Sequence, residues 1–341
     1  MRKEEPILFN KENEEINFDM LPNYLGIDDT GLDEESIKEF RKRMDEEFPN
    51  NCFNKLNNHD FLKRIGAFTS FQGKEVLRNG AVLFFGFIYD IIAICPNYFL
   101  DYQVNISGFT RWDKRIVSDD INFNGNLFNY FSSVSNDIIK DLTNLYSDGE
   151  SIDSTIEDIE NLMIEAVIKM IENNDFTMPP GVILKKKNNE MTYINSGHCS
   201  AKLEQYISSE KTDVINKNIT SYFKFLQKDN DKNVKALGVI ESISSYGYIF
   251  PSIATANSPK RTTLILKYIF LNKNDAYYEE KRKLLSYLVG RKDGSTSREL
   301  STLMGTKPTT TNKIIGQLLS QHQIKTNDKK TKGRRYFSIL Q

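Results

Sequence analysis

Cysteine and histidine are scarce in this chain, with three of each among 341 residues. Cys52, Cys95 and Cys199 lie far apart, and no CxxC pair occurs. That spacing argues against a disulfide framework and against a structural zinc site, and it makes a reducing cytoplasm the expected compartment. Long apolar runs are also missing. The best stretch, residues 81–94, is shorter than the roughly 18–20 residues a membrane-spanning helix needs, and it contains Asp90. No membrane association is expected. The opening MRKEEPILFNKENEE is acidic and has no apolar signal core. No internal repeat is visible.

What the chain does have is charge. Asp, Glu, Lys and Arg make up 27% of it against 39% hydrophobic residues, an ordinary composition for a soluble chain of two or three domains. The formal net charge is only −1. That total hides a division. Residues 276–341 carry 14 Lys and Arg against 5 Asp and Glu, a net of +9, and the first 275 carry 31 against 41, a net of −10. A basic segment on an acidic body points to a polyanion-binding module attached to something else.

The basic segment reads as a winged helix-turn-helix. YEEKRKLLSYLVG places Leu284, Leu285 and Leu288 on one helical face and ends at Gly290. Thr296 and Glu299 form a capping box that opens a second helix running to Met304. Gly305 and Pro308 make the turn. Residues 309–321 then form a third helix. Ile314, Ile315, Leu318 and Leu319 are its buried stripe, and Thr310, Thr311, Lys313 and Gln317 its open face. IKTNDKKTKGRRYFSI follows as two strands around a polar tip. The open face suits base edges or phosphates of a major groove, and Lys329, Lys330, Lys332, Arg334 and Arg335 on the wing suit phosphates. Duplex DNA is therefore the expected partner. Paired half-sites would favour a homodimer. Winged helices also mediate protein contacts, which is the competing reading.

The rest of the chain reads as α+β. DEESIKEFRKRMDEEF is expected to form a charged surface helix capped by Ser36 and Glu39, and His59-Asp60 to start a short helix. YFLDYQVNISGF alternates like a strand, and NGNLFNYFSSVSNDIIKDL has helical spacing. Ile156, Ile159, Leu162, Met163, Ala166, Val167, Met170 and Ile171 trace one stripe of a long helix over residues 154–173. GVILKKKNNEMTYINSG reads as a hairpin and TTLILKYIF as a buried strand, giving helices on a mixed or mostly antiparallel sheet. His198 beside Cys199 lacks a third ligand or an orienting acid, so it carries neither a metal site nor a nucleophile.

Five segments in order carry a resemblance: FLKRIGAF with LRNGAVLFFG, RIVSDDINFNGNLFNYF, IEAVIKMIENNDF, YINSG, and ALGVIESISSYGYIFP. Together with the tail they resemble the bacterial RecG-like, Schlafen/AlbA-associated family of transcriptional regulators, from about Asn17 onward. The resemblance implies a divergent GHKL-type ATPase-like body followed by a C-terminal winged helix, without helicase motor motifs. It also implies that the family's N-terminal AlbA-type domain is missing, whether as a natural short form, a fragment or half of a split system. The implied divisions are an acidic N-terminal segment (1–60), an ATPase-like region (61–270), a linker (271–280) and the winged helix (281–341).

The resemblance further places a nucleotide site at Glu165, Lys169, Asn195, Gly197 and Gly238. In such ATPases a helical Glu orients the attacking water and an Asn one turn on binds Mg²⁺. Glu165 stands at the first position, but Lys169 replaces the Asn and a protonated Lys repels a divalent cation. Ala236 replaces the first glycine of the phosphate loop, while Gly238 is retained. The expectation is thus a DNA-binding regulator whose degenerate ATPase-like body serves dimerisation or ligand sensing, with no cofactor. Bound ATP at an active or gated ATPase site is the alternative. Glu165 is then either a general base or a partner of Lys169 at i+4.

Overall fold

The computed structural model describes residues 17–108, 111–146, 154–197, 214–226, 249–269, 275–289, 291–327 and 333–339. Everything below concerns those residues. They form two buried clusters. The larger takes side chains from Leu32 through Tyr268, and the smaller takes them from Ile269 through Tyr336.

The first helix, α1 (Glu34–Glu47), departs from the expected surface helix. Its N-cap is Asp33, whose carboxylate accepts from the Glu35 amide. Ser36 lies inside the first turn, buried, and donates to Asp33 at 2.6 Å. The predicted Ser36–Glu39 cap is therefore displaced by three residues, because an aspartate was available one turn earlier. Ile37, Phe40 and Met44 are spaced to share one face, and all are buried. Phe40 sits among Phe61, Phe84, Phe85 and Phe128 with ring centroids 5.2–6.1 Å away. Three apolar positions in fourteen residues suffice to seat a charged helix in the body's core.

Next come α2 (Asn58–Arg64), capped by Asn57, and a hairpin of β1 (Phe68–Phe71) and β2 (Lys74–Leu77). Gln72 and Gly73 both have positive φ, as a tight two-residue hairpin turn requires. The helices α3 (Asn79–Phe85), wholly buried, and α4 (Ile88–Ile94) follow. The first part of the apolar run that opens at Ala81 is thus core helix, whereas α4 buries only Ile91. Among the described residues no helix is long and apolar enough to cross a membrane.

A six-stranded mixed sheet completes the body. Its strands are β3 (Leu100–Val104), β4 (Lys114–Val117), β5 (Val182–Lys187), β6 (Glu190–Ser196), β7 (Ile249–Asn257) and β8 (Lys260–Tyr268), in the order β4-β3-β5-β6-β8-β7. Only β3 and β5 run parallel. Their connection contains α5 (Leu127–Tyr146) and α6 (Ser154–Glu172), as a parallel crossover demands. Alternation sets the faces. Leu100, Tyr102, Val182, Leu184, Met191, Tyr193, Leu264 and Leu266 point into the core, while Ile183, Thr192, Ile194 and Ile265 are half-buried on the other face. A mixed α/β body is what the periodicities predict.

One short helix is held from far away in sequence. α7 (Lys217–Phe223) has no side-chain cap from its own N-cap residue, Asn216. Asp19 supplies the acceptor instead, taking the amides of Asn218 and Ile219 at 2.7 and 3.0 Å. Its other oxygen is buried without a partner. Burial pushes the Asp19 carboxyl up to about 6, against the lowering effect of those two amides. The folded chain therefore holds this proton to higher pH than the unfolded chain. Stability falls as pH rises from about 4 to about 6, by roughly 3 kcal/mol, and is flat on either side of that window as far as this group is concerned. Asp19→Asn is expected to abolish this fall. Urea unfolding midpoints of both proteins across pH 4–8 measure it, and an unchanged pH profile in the variant would show that Asp19 ionises freely.

Candidate functional site

Two regions hold the residues singled out by the sequence. The first is the C-terminal end of α6. A helix ends with four carbonyls that have no intrahelical donor. Here asparagines supply the donors. Asn216 Nδ2 reaches the carbonyls of Asn174, Ile171 and Glu172 at 2.7, 3.0 and 3.3 Å. Asn173 Nδ2 returns to the Lys169 carbonyl at 2.8 Å, and Asn195 Nδ2 donates to the Asn173 carbonyl at 2.8 Å. Asn174 accepts the Ser196 amide through Oδ1 at 2.8 Å. Gly197, at φ +96°, turns the chain out of β6, and its amide donates to the Lys260 carbonyl at 3.0 Å.

Lys169 and two glutamates complete this region. The Lys169 ammonium lies 2.8 Å from Glu172 and 3.6 Å from Glu165, and the Lys169 and Glu172 side chains are 8% and 4% exposed. Burial works to strip Lys169 of its proton, but the charges of Glu172 and Glu165 outweigh it and hold the ammonium above its usual range. Burial raises the Glu172 carboxyl despite Lys169. The structure thus brings Glu165, Lys169, Asn195 and Gly197 into one neighbourhood. Their polar atoms are spent on closing a helix end and an ion cluster. Lys169, which the resemblance places in a nucleotide site, is a buried counter-ion. Glu165 is its partner at i+4, the plainer of the two sequence readings. Gly238, His198 and Cys199 lie outside the described residues. Cys95 is not a nucleophile: its buried thiol donates to the Phe176 carbonyl at 2.8 Å, and burial pushes it up to about 12. Among the described residues no cluster of His, Cys, Asp and Glu could hold a metal ion.

The second region is the basic tail. α8 (Tyr278–Val289), α9 (Ser297–Met304) and α10 (Pro308–Ser320) surround Leu284, Leu285, Leu288, Leu300, Ile314, Ile315 and Leu318. The Thr296–Glu299 capping box is formed in both directions, Gly305 closes α9 in the left-handed conformation, and Pro308 opens α10. β9 (Ile324–Thr326) and β10 (Tyr336–Ser338) pair antiparallel, and Ser295 bridges to Tyr336. Asp275 in the preceding segment is bonded to the buried Lys281 at 2.5 Å, which fixes the start of α8.

On α10, Lys313 is exposed and lies 5.2 Å over the Tyr277 ring; Thr310 and Gln317 are half-buried. Thr311 departs from expectation. It is fully buried, its hydroxyl 2.8 Å from that of Thr306 and 3.2 Å from the Lys307 carbonyl. Its spacing to Ile314, Ile315 and Leu318 puts it on the core stripe, where a threonine that bonds its own helix backbone is tolerated. Leu319 is only half-buried. Arg334 donates to Thr326 at 3.2 Å, and Arg335 to the carbonyls of Asp293 and Gly294 at 3.2 and 3.1 Å; both remain half-exposed. Lys329, Lys330 and Lys332 lie outside the described residues. The sequence reading does not single out Lys307, Arg291, Lys292 and Arg298, all exposed basic groups of the same small unit. Their signal was present in the tail's net charge but not in any one motif.

The family described as "Domain of unknown function (DUF8451)" matches residues 7–101. No curated protein matches the chain. Among solved structures, the DIP2311 protein from Corynebacterium diphtheriae is similar at 9% identity, with a TM-score of 0.50 over 95% of this chain and 70% of that one. At that identity the likeness is one of fold.

The ion cluster sets a measurable cost. Lys169→Ala leaves Glu165 and Glu172 without a countercharge in a buried position, and a loss of about 3–5 kcal/mol is expected in urea unfolding at pH 7. The loss should shrink as the pH is lowered, because burial already raises the Glu172 carboxyl and protonation removes its unpaired charge. A loss below about 1 kcal/mol at pH 7 would mean that water reaches the cluster.

Proposed function

We propose that this chain is a transcription regulator that binds duplex DNA through a winged helix formed by residues 278–339. Its body is a degenerate GHKL-type domain used for dimerisation or ligand sensing rather than for ATP turnover. The observation that carries the reading is α10. It is the third helix of a three-helix unit closed by an antiparallel ribbon, and its outer side is polar and basic. Lys307, Asn312, Lys313 and Ser320 are exposed there, and Thr310 is half-exposed. A helix of this kind fits a major groove, where its N-terminal residues meet base edges. Arg334 and Arg335 at the base of the ribbon suit the flanking phosphates, and the tail's net charge of +9 against a body of −10 orients the approach.

The ATPase alternative finds less support. A Mg²⁺ site needs free carboxylate or amide oxygens, and Lys169 puts a buried positive charge in that place. Asn195 and Gly197 are engaged by neighbouring backbone.

Fluorescence anisotropy on random-sequence duplex DNA tests the reading. The intact chain should bind at about 50 mM salt, with an affinity that falls steeply as salt rises. Lys307→Ala combined with Lys313→Ala should lower the salt slope by about two units if each contacts a phosphate. No binding at low salt, or equal binding by a chain ending at Asp275, would remove the basis of the proposal.

A further inference from the structure

The two edges of the body sheet are unlike. β4 is four residues long, carries Lys114 and Arg115, and both are exposed. Shortness and edge charge are the usual means by which a sheet avoids pairing with another chain. At the opposite edge, β7 runs for nine residues, IFPSIATAN, without a single charge. Among the described residues its strand partner is β8 alone. Ser252, Ala254 and Thr255 are exposed, and Pro251 and Ile253 are half-buried. In an antiparallel ladder alternate residues turn their N–H and C=O groups away from the partner strand. β7 therefore turns the backbone of Ile249, Pro251, Ile253, Thr255 and Asn257 away from β8, a row of donors and acceptors in which Pro251 lacks the N–H donor.

We infer that two copies of this chain associate by antiparallel pairing of β7 with β7 of the second copy, joining two six-stranded sheets into one. This specifies the dimerisation role proposed for the body, on which it rests, and does not depend on DNA binding. A strand paired antiparallel with itself is self-complementary about a two-fold axis, the commonest symmetry of soluble dimers. Charge selects this orientation. Lys260 and Arg261 follow the turn at the end of β7 and are exposed. A parallel pairing would bring both copies' Lys260 and Arg261 together. The antiparallel pairing separates them by the strand's length, roughly 30 Å. The residues nearest the strand centre on the outer face are Ser252 and Ala254, small enough for two backbones to approach. A net charge of −1 raises no barrier to association.

Sedimentation equilibrium of the full chain over a dilution series is the test. The wild-type chain should have twice the 39.4 kDa mass of one copy at high concentration. Ser252→Lys with Ala254→Lys places four ammonium groups about the axis in any register centred on residues 252–254, and should raise the dissociation constant ~100-fold or more. Its circular dichroism should match the wild type. Mixing it with the Ser252→Glu, Ala254→Glu chain should restore the doubled mass. As a check that needs no variant, β7 amides should exchange with solvent more slowly in concentrated than in dilute wild-type protein. A wild-type mass of one copy overturns the inference. So does a lysine variant that associates like the wild type. Duplex binding measured on the same samples separates the two readings, because a monomeric variant that still binds with a salt slope leaves the DNA proposal standing.

Discussion

The requirement that a buried helix end find donors for its carbonyls organises the body. α6 stops inside the molecule, so water cannot satisfy its last turn. Asn173 and Asn216 supply donors to it, and Asn174 and Asn195 tie the residues that follow to β6. Each asparagine belongs to a different local arrangement, and together they fix three things: the end of β6, the turn at Gly197 and the entry into α7. The same constraint leaves little there for a ligand. A phosphate site needs backbone amides that point at open space. Here the amides of Ser196 and Gly197 point at protein carbonyl oxygens, one from a side chain and one from the backbone.

Much of the fold could be read from periodicity, and the misses have identifiable causes. The α6 stripe from Leu162 to Ile171 and the hairpin turning at Asn188-Asn189 stand where the sequence puts them, because in both cases burial and intrinsic preference agree. The α1 helix was placed correctly but judged a surface element. Its ten charged residues of fourteen outweigh Ile37, Phe40 and Met44 in the reading, although those three decide which face is buried. The β1–β2 hairpin was not anticipated, since its Gln72-Gly73 turn lies within a mixed run without clear alternation. β7 escapes the sequence reading for a different reason: IFPSIATAN has no strict alternation of apolar and polar residues and contains Pro251.

The candidate sites divide along the same line. Glu165–Lys169 could be paired from spacing alone, since i and i+4 meet on any helix. The third member, Glu172, lies at i+3 from Lys169 and was equally legible, yet nothing in one sequence signals that the group is buried. In the tail, composition found the module and helical spacing found its core, but a threonine at the margin of a stripe belongs to either side. Thr311 was resolved only by its neighbour Thr306, a partner from the preceding turn that no periodicity marks.

The contact between Asp19 and α7 has a consequence in time as well as space. It joins residues 199 and 200 positions apart. A chain made at about 5–20 residues per second exposes Asp19 roughly 10–40 s before Ile219 leaves the ribosome. Phe40 waits in the same way, more briefly, for Phe84, Phe85 and Phe128. The N-terminal part of the body thus emerges with aromatic groups that have no core to enter. Its closure is necessarily a late event in synthesis, after both crossover helices and the central strands have been made.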